Sequence, residues 1–560
     1  MGVEEVWKMG YTGKNVNVAI VDIGVEMNHK ELYPNMNMNL SYNFVDNNRD
    51  ANPPIHSNYA DKVDIDHGSN CAGLVAGVKN NLFCSAGVAP DAKVASIRFI
   101  DEDGYSTEAR LEAALRHNDS NIDIYSSSWA LLEFPFADVG PRYQQTLLEG
   151  VEKGRNSKGS IFVFPAGNYP AEGNCNADGY VNTIYSITVS SVGVMCSKPD
   201  YIPVCSCVLA ATFGEGNMMT SDLLFTAGQN NTCAGDFHRT SASAALASGI
   251  IALTLESNPI LTWRDIQHII VETTSVTELE KSGDWMINGA GKRVSPYFGF
   301  GLMNATAMVE AAKRWSFVGP KTICRILLSS LEFQNVSQGY IEATWSKDSD
   351  GCNGTDSSVT LLEHVQVKIS FVSGTVTRIY LKSPMSLDRL HSPLWTGTSN
   401  NIAATERFSW VFTTVHFWGE NPVGVWVLQM KCRTSASISM KSVTIELILH
   451  GTNSMYPLSN HRKYKDTPHS SPTVPKITYV NVSSTSTTAT AGTRTDGTSV
   501  IITISVVVAV VVAVVVAVVV ITAIVIVFRK RKRITRRCSM RSAKSPTSID
   551  HYQLVSGENH

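Results

Sequence analysis

Three residues far apart in the chain, Asp22, His67 and Ser241, have the types and settings that peptide-bond cleavage needs. Acyl transfer asks for a nucleophile, a base that takes its proton, a carboxylate that orients the base, and donors for the oxyanion. Asp22 closes the apolar run "AIVDIG", where a carboxylate can be held rigidly. His67 opens a helical stretch in "DIDHGSNCAG", and Ser241 opens another in "HRTSASAALASG". Asn168, in "FPAGN", can offer its amide to an oxyanion, with the Ser241 N–H at a helix N-terminus as second donor. Singly, each has a plainer reading: a structural carboxylate, a solvated histidine, a serine capping a helix. Together, in the order Asp, His, Ser, they match one of the arrangements in which such triads occur.

The elements that must position these groups show as patterns. Val/Ile-rich runs at 16–24, 122–129, 160–168 and 183–192 predict buried strands. Residues 67–78, 108–116, 241–257 and 262–274 predict helices. Their alternation predicts an α/β domain with a mostly parallel sheet over residues 1–315. Over 316–452 the pattern becomes period-two strands, at 364–372, 408–418, 423–430 and 442–451, which predicts an all-β jelly roll. Residues 453–499 read as a stalk, since 12 of the 23 residues in 477–499 are Ser or Thr and build no core.

Residues 500–528 are uncharged and overwhelmingly Val and Ile. As a helix they would run roughly 43 Å, beyond the ~30 Å hydrocarbon core, which predicts a single transmembrane helix. "RKRKR" follows at Arg529, so the tail 529–560 is expected in the cytoplasm and the larger N-terminal part in the lumen or outside. That tail carries nine Lys/Arg against two Asp/Glu, and the rest of the chain 38 basic against 47 acidic residues. A mildly acidic body with a basic tail points to a membrane and away from nucleic acid. Eleven cysteines and seven N-x-S/T sites (Asn39, Asn118, Asn230, Asn304, Asn335, Asn353, Asn481) suit an oxidising compartment. No secretory leader is visible at Met1, so an upstream segment is expected. Tyr552 to Val555, "YQLV", has the Tyr-x-x-apolar form read by clathrin adaptors, which predicts cycling among Golgi, endosome and plasma membrane. Cys538, just inside the membrane, is a candidate for palmitoylation.

On these segments, and on "IYSSSW", "GSIFVFPAGN", "CNADGY", "LTWRDIQHIIVET", "FGFGLMNA" and "SPLWTGTSNN", residues 3–452 resemble the furin/kexin proprotein convertases. These are calcium-dependent subtilisin-like serine proteases followed by a P domain. The resemblance implies Asp22, His67 and Ser241 as triad and Asn168 as oxyanion donor, acting on precursor polypeptides of the secretory pathway after basic residues. It implies the bridges Cys84–Cys233, Cys175–Cys205 and Cys324–Cys352, and a free thiol at Cys71. Cys196 and Cys207 are extra and free to pair with each other.

For the substrate it implies Asp178 at the base of the P1 pocket with Glu133 as a second acid, Asp64 at P2, and Ser128 and Trp129 on the edge that binds the substrate backbone. For Ca²⁺ it implies Glu31, Asn81 and the backbone oxygens of Val78, Phe83 and Ser85. The chain departs from the family where Ile23, Leu111 and Val139 replace acids of the P2 and P4 pockets, so the need for upstream Arg is expected to weaken. Gly173 and Pro203 stand where a second calcium site would need acids. Ala130 places a Cβ on the substrate edge, and Arg239 stands where a positive φ would strain any residue but Gly. The alternative reading is an impaired pseudoprotease serving as a membrane-anchored binding ectodomain.

Overall fold

The computed structural model describes residues 1–453 except 56–63, 132–135, 137–138, 170–172, 216–225, 236, 329, 338–339, 387–390, 397–401 and 434–442, plus the backbone of 552–555. The expected membrane span at 500–528, nearly all of the stalk, Cys538 and Glu133 lie outside the described residues. Among those described, no helix is long and apolar enough to cross a membrane.

The N-terminal half contains strands β1 (Asn17–Asp22), β2 (Tyr42–Asn43), β3 (Lys93–Arg98), β4 (Tyr105–Ser106), β5 (Ile124–Ser126), β6 (Ala130–Leu131), β7 (Ile161–Pro165), β8 (Ser186–Val192) and β9 (Val208–Phe213). Seven of them form one parallel sheet in the order β2-β3-β1-β5-β7-β8-β9. Its helices are α1 (Val3–Lys8), α2 (His67–Ala76), α3 (Glu108–Arg116), α4 (Gly140–Ser157), α5 (Arg239–Ser257), α6 (Trp263–Thr273) and α7 (Ala305–Ala312). β1 is apolar on both faces because both are covered. Val18 and Ile20 enter a core with α2, α5, α6 and α7, while Ala19 and Val21 enter a second one with α3 and α4.

From β1 the sheet grows one way to β3 and the other way to β5, so the winding reverses between β1 and β5. Open parallel sheets place their sites at the carboxyl ends of strands beside such a reversal. Asp22 is the last residue of β1, and Ser128 lies two residues past β5. α5 is buried from Thr240 to Leu255, and its Ala and Ser side chains let it pass through the middle of the domain.

The second half is antiparallel β structure, as the period-two pattern predicts. Its longest strand, Leu361–Lys382, pairs with Ser392–Thr396, Ile402–Thr414, Gly424–Arg433 and Thr444–Thr452. The sequence pattern catches less than half of that strand, because the register shifts between Val372 and Gly374 and the alternation breaks there.

The two halves meet over a polar, buried seam. Arg264 Nε donates to Glu363 Oε2 at 3.0 Å, its Nη2 donates to Glu363 Oε1, and His268 Nε2 donates to the same Oε1 at 2.9 Å. Trp418 Nε1 donates to His268 Nδ1 at 3.4 Å. Further along, Asn182 Nδ2 donates to Val411 O, Thr413 N donates back to Asn182 Oδ1, and Trp410 Nε1 donates to Asn176 O at 2.8 Å.

Candidate active site

Asp22 and His67 meet as the spacing predicts: His67 Nδ1 donates to Asp22 Oδ2 at 2.9 Å. Asp22 Oδ1 accepts the Ile23 N–H at 2.8 Å, which fixes the carboxylate plane. The approach needs Gly68, because a Cβ there would come within 2.1 Å of Gly24 O. Both side chains are buried, and His67 Nε2 has no partner among the described residues. A buried nitrogen left open on the far side of an oriented imidazole is what a general base presents. Burial alone would lower the His67 pKa, but the Asp22 carboxylate outweighs it and holds the pKa well above the ordinary 6.5.

Ser241 lies in the first turn of α5, where helix N–H groups lack intrahelical partners. Its Oγ donates to Ser128 O at 2.8 Å, and Ser128 Oγ donates to Ser241 O at 3.1 Å. Ser128 also hydrogen-bonds the Cys71 thiol, whose Sγ is 4.0 Å from His67 Nδ1, so one buried cluster links nucleophile and base. Burial pushes the Cys71 pKa up, and the thiol stays neutral. The hydroxyl rests on the backbone of residue 128 rather than on the imidazole.

Asn168 is turned by Thr240, whose N and Oγ1 both donate to Asn168 Oδ1, at 3.1 and 2.7 Å. That clamp commits the carbonyl end of the Asn168 side chain. The sequence reading missed Thr240, although its place next to the nucleophile is the signal.

Arg239 has φ +71, so the position does demand a left-handed backbone. Its guanidinium lies over the Tyr201 ring, 6.0 Å from the centroid. Holding a non-Gly residue there costs about 1–2 kcal/mol, offset in part by that cation–π contact. Arg239→Gly is therefore expected to raise stability by about 1 kcal/mol, read as a higher Tm; a lower Tm would mean the arginine contributes more than its strain removes.

Ser128 and Trp129, expected on a substrate edge, lie just past the end of β5. Ser128 is buried, and Trp129 Nε1 donates to Val21 O at 2.9 Å, which pins the edge to β1. β4 and β6 each pair by backbone with one end of the short strand Tyr552–Val555, Tyr552 opposite Ser106 and Leu554 opposite Leu131.

Asp178 is 2% exposed; its Oδ1 accepts the Tyr180 N–H at 2.9 Å and its Oδ2 the Tyr169 hydroxyl at 3.4 Å. Asp64 is half-buried at the start of α2, where its Oδ1 accepts the Asp66 N–H. Ile23, Leu111 and Val139 are core residues.

Near the amino end of the domain, Glu31 is fully buried and its Oε1 has no partner among the described residues; burial raises its pKa to about 7 although Asn81 Nδ2 donates to Oε2 at 2.7 Å. Gly77 faces the same spot: a Cβ there would come within 3.0 Å of Glu31 Oε1 and 2.9 Å of Ser85 O. Asn81 Oδ1 accepts the Phe83 N–H, so the oxygens that face this spot are the orphan Glu31 Oε1 and Ser85 O, a partial set that fits a hard cation.

Disulfides join Cys84–Cys233, Cys175–Cys205 and Cys324–Cys352, and Cys71 is free. The expected option of a Cys196–Cys207 bridge is corrected: both are free, and Cys207 Sγ lies 3.3 Å from Cys175 Sγ and 3.5 Å from Cys205 Sγ. Packing among the strands around Asp178 decides this, and Cys spacing carries no trace of it.

Comparison with known proteins agrees with this geometry. The subtilase family profile matches residues 13–301 and the proprotein convertase P-domain profile matches 362–445. Furin of Homo sapiens is 36% identical over 457 residues, covering 81% of this chain and 56% of furin. Furin-like protease 2 of Drosophila melanogaster is 37% identical over 472 residues, covering 81% of this chain and 27% of that protein. Proprotein convertase subtilisin/kexin type 6 of Homo sapiens is 38% identical over 449 residues, covering 77% and 44%. The chain thus spans about half or less of the length of these relatives. In fold it is similar to the serine protease of Aeromonas sobria, with a TM-score of 0.63 and 18% identity over 79% of this chain and 89% of that one. With both domains matched in this order around an intact Asp–His pair, the chain belongs to the subtilase family, in its furin/kexin-like proprotein convertase branch.

Proposed function

We propose that this chain is a serine endoprotease that cleaves precursor proteins of the secretory pathway after basic residues, anchored as a type I membrane protein by residues 500–528. The observation that carries the reading is the buried Asp22–His67 pair with an open Nε2, set in one cluster with Ser241. Ser241 Oγ attacks the scissile carbonyl as His67 Nε2 takes its proton, and Asp22 stabilises the imidazolium that results. The Asn168 amide and the Ser241 N–H receive the oxyanion, and His67 returns the proton to the leaving amine. β4 and β6 hold the substrate as a strand between them, by backbone hydrogen bonds.

In this reading "YQLV" at 552–555 lies in the cytoplasmic tail, where a clathrin adaptor reads it. The second half serves as the jelly-roll P domain. The furin-like relatives and the buried Asp22–His67 pair support the protease reading, and nothing comparable supports the pseudoprotease alternative.

The full chain, expressed through the secretory pathway, is expected to hydrolyse Arg-ending fluorogenic peptides, and Ser241→Ala to abolish it. Equal rates for the two would end the protease reading.

The pH dependence follows from His67. Only the neutral imidazole accepts a proton, so kcat/KM is expected to rise with pH through a midpoint above 6.5. The stability that the pair contributes runs the other way: it is complete below 6.5 and is lost as pH climbs through the raised value.

For calcium, Glu31 and Asn81 with the backbone of Val78, Phe83 and Ser85 would hold the ion, whose part is to neutralise the buried carboxylate and tie the loop 78–85 to α2. A chelator is expected to lower the Tm, by about 2.7 kcal/mol of stability where the ion had stood at a hundred times its Kd. Glu31→Gln should show the low Tm with or without chelator.

A further inference from the structure

We propose that Tyr169 is a specificity-determining residue of the P1 pocket, a plug whose hydroxyl occupies Asp178 until a basic P1 side chain displaces it. The inference rests on the protease reading and on Asp178 as the P1 acid. Asp178 is not waiting for a substrate. Both carboxylate oxygens are engaged, Oδ1 by the Tyr180 N–H and Oδ2 by the Tyr169 hydroxyl, and the residue is 2% exposed.

Tyr169 itself is 8% exposed and follows directly on the oxyanion donor Asn168. Its ring folds back over Gly167, where a Cβ would come within 2.3 Å of Cε2, so Gly167, at φ +93, supplies the room the ring needs. The phenol stays protonated, because burial and then the Asp178 charge push its pKa well above 10, and it remains a donor throughout.

A guanidinium or ammonium reaching for Asp178 must take the place of that donor. The exchange trades a neutral hydroxyl hydrogen bond for a charge-assisted one, which is the stronger of the two. A P1 side chain without a positive charge has nothing to trade. It meets Tyr169 still bonded to Asp178. The plug therefore sharpens selection for charge at P1 while taxing the affinity of every basic substrate.

The test compares the full chain with Tyr169→Gly, which removes the plug, and Tyr169→Phe, which keeps the ring and removes the donor. The readouts are kcat/KM for peptides that differ only in P1 Arg or norleucine, and the Kd of benzamidine in a Ser241→Ala background. Tyr169→Gly is expected to tighten benzamidine about tenfold and to raise kcat/KM for both peptides. Tyr169→Phe should tighten benzamidine by a smaller factor and leave norleucine cleavage low. Benzamidine affinity unchanged within twofold in both variants would overturn the plug. If the parent hydrolyses no peptide, the protease reading fails, and the benzamidine titrations still decide the role of Tyr169. Should Tyr169→Gly not fold, Tyr169→Phe alone decides it by the same criterion.

Discussion

Ser241→Ala is expected to lower kcat by about five to six orders of magnitude with little change in KM, and Asp22→Asn by about four. The serine carries the bond that forms, so nothing replaces it. The aspartate acts through the imidazole. Asn at position 22 can present an N–H to His67 Nδ1, which reverses the tautomer and leaves Nε2 protonated and unable to accept. Ser241→Ala keeps the shape of the buried site, so its melting temperature should stay close to the parent's, whereas Asp22→Asn should melt lower at pH below 6.5, where the pair with His67 contributes. Steady-state hydrolysis with active-site titration makes the measurement. A drop of less than a hundredfold in Ser241→Ala would remove the hydroxyl from the reaction.

The second large effect is on stability. Glu363 is 1% exposed and pairs with Arg264 and His268 across the seam between the two halves. Burial would raise its pKa, but the His268 hydrogen bond and the Arg264 charge outweigh it, and the carboxyl stays well below the ordinary 4.5. Its contribution is present above 4.5 and is lost as pH falls through that depressed value. Glu363→Ala strands a buried guanidinium, at a cost of about 3–5 kcal/mol. Replacing Glu363 and Arg264 together by Leu and Met should cost far less, because no unpaired charge is left behind. Denaturant midpoints for the single and double variants decide it: equal losses in the two would mean that the cost lies in packing and not in the stranded charge.

Much of this site is legible in the sequence, for a physical reason. A catalytic carboxylate at a strand end and a base and nucleophile at helix starts are tied to local patterns, so the spans 16–24, 67–78 and 241–257 predict β1, α2 and α5 to within two residues at most ends. Arg239 is legible too: a charged residue before a nucleophile, at a place where the backbone turns left-handed. Partners joined through space are not. Nothing near Tyr169 announces that its hydroxyl reaches Asp178, and nothing near Cys207 announces two cystine sulfurs within 3.5 Å. The salt bridge from Arg264 to Glu363 spans 99 residues and two unlike architectures. Such contacts are decided by how sheets and helices stack after the local elements exist.

Asn176 and Asn182, which grip the strand Ile402–Thr414, flank Asp178 by two residues on one side and four on the other. The turn that carries Asp178 is thus clamped from outside by the second half of the chain. Of the residues that make this clamp, only Trp410 acts through its side chain, while Val411 and Thr413 use backbone atoms, so a change at Trp410, remote in sequence from Asp178, would loosen one side of the turn that carries it.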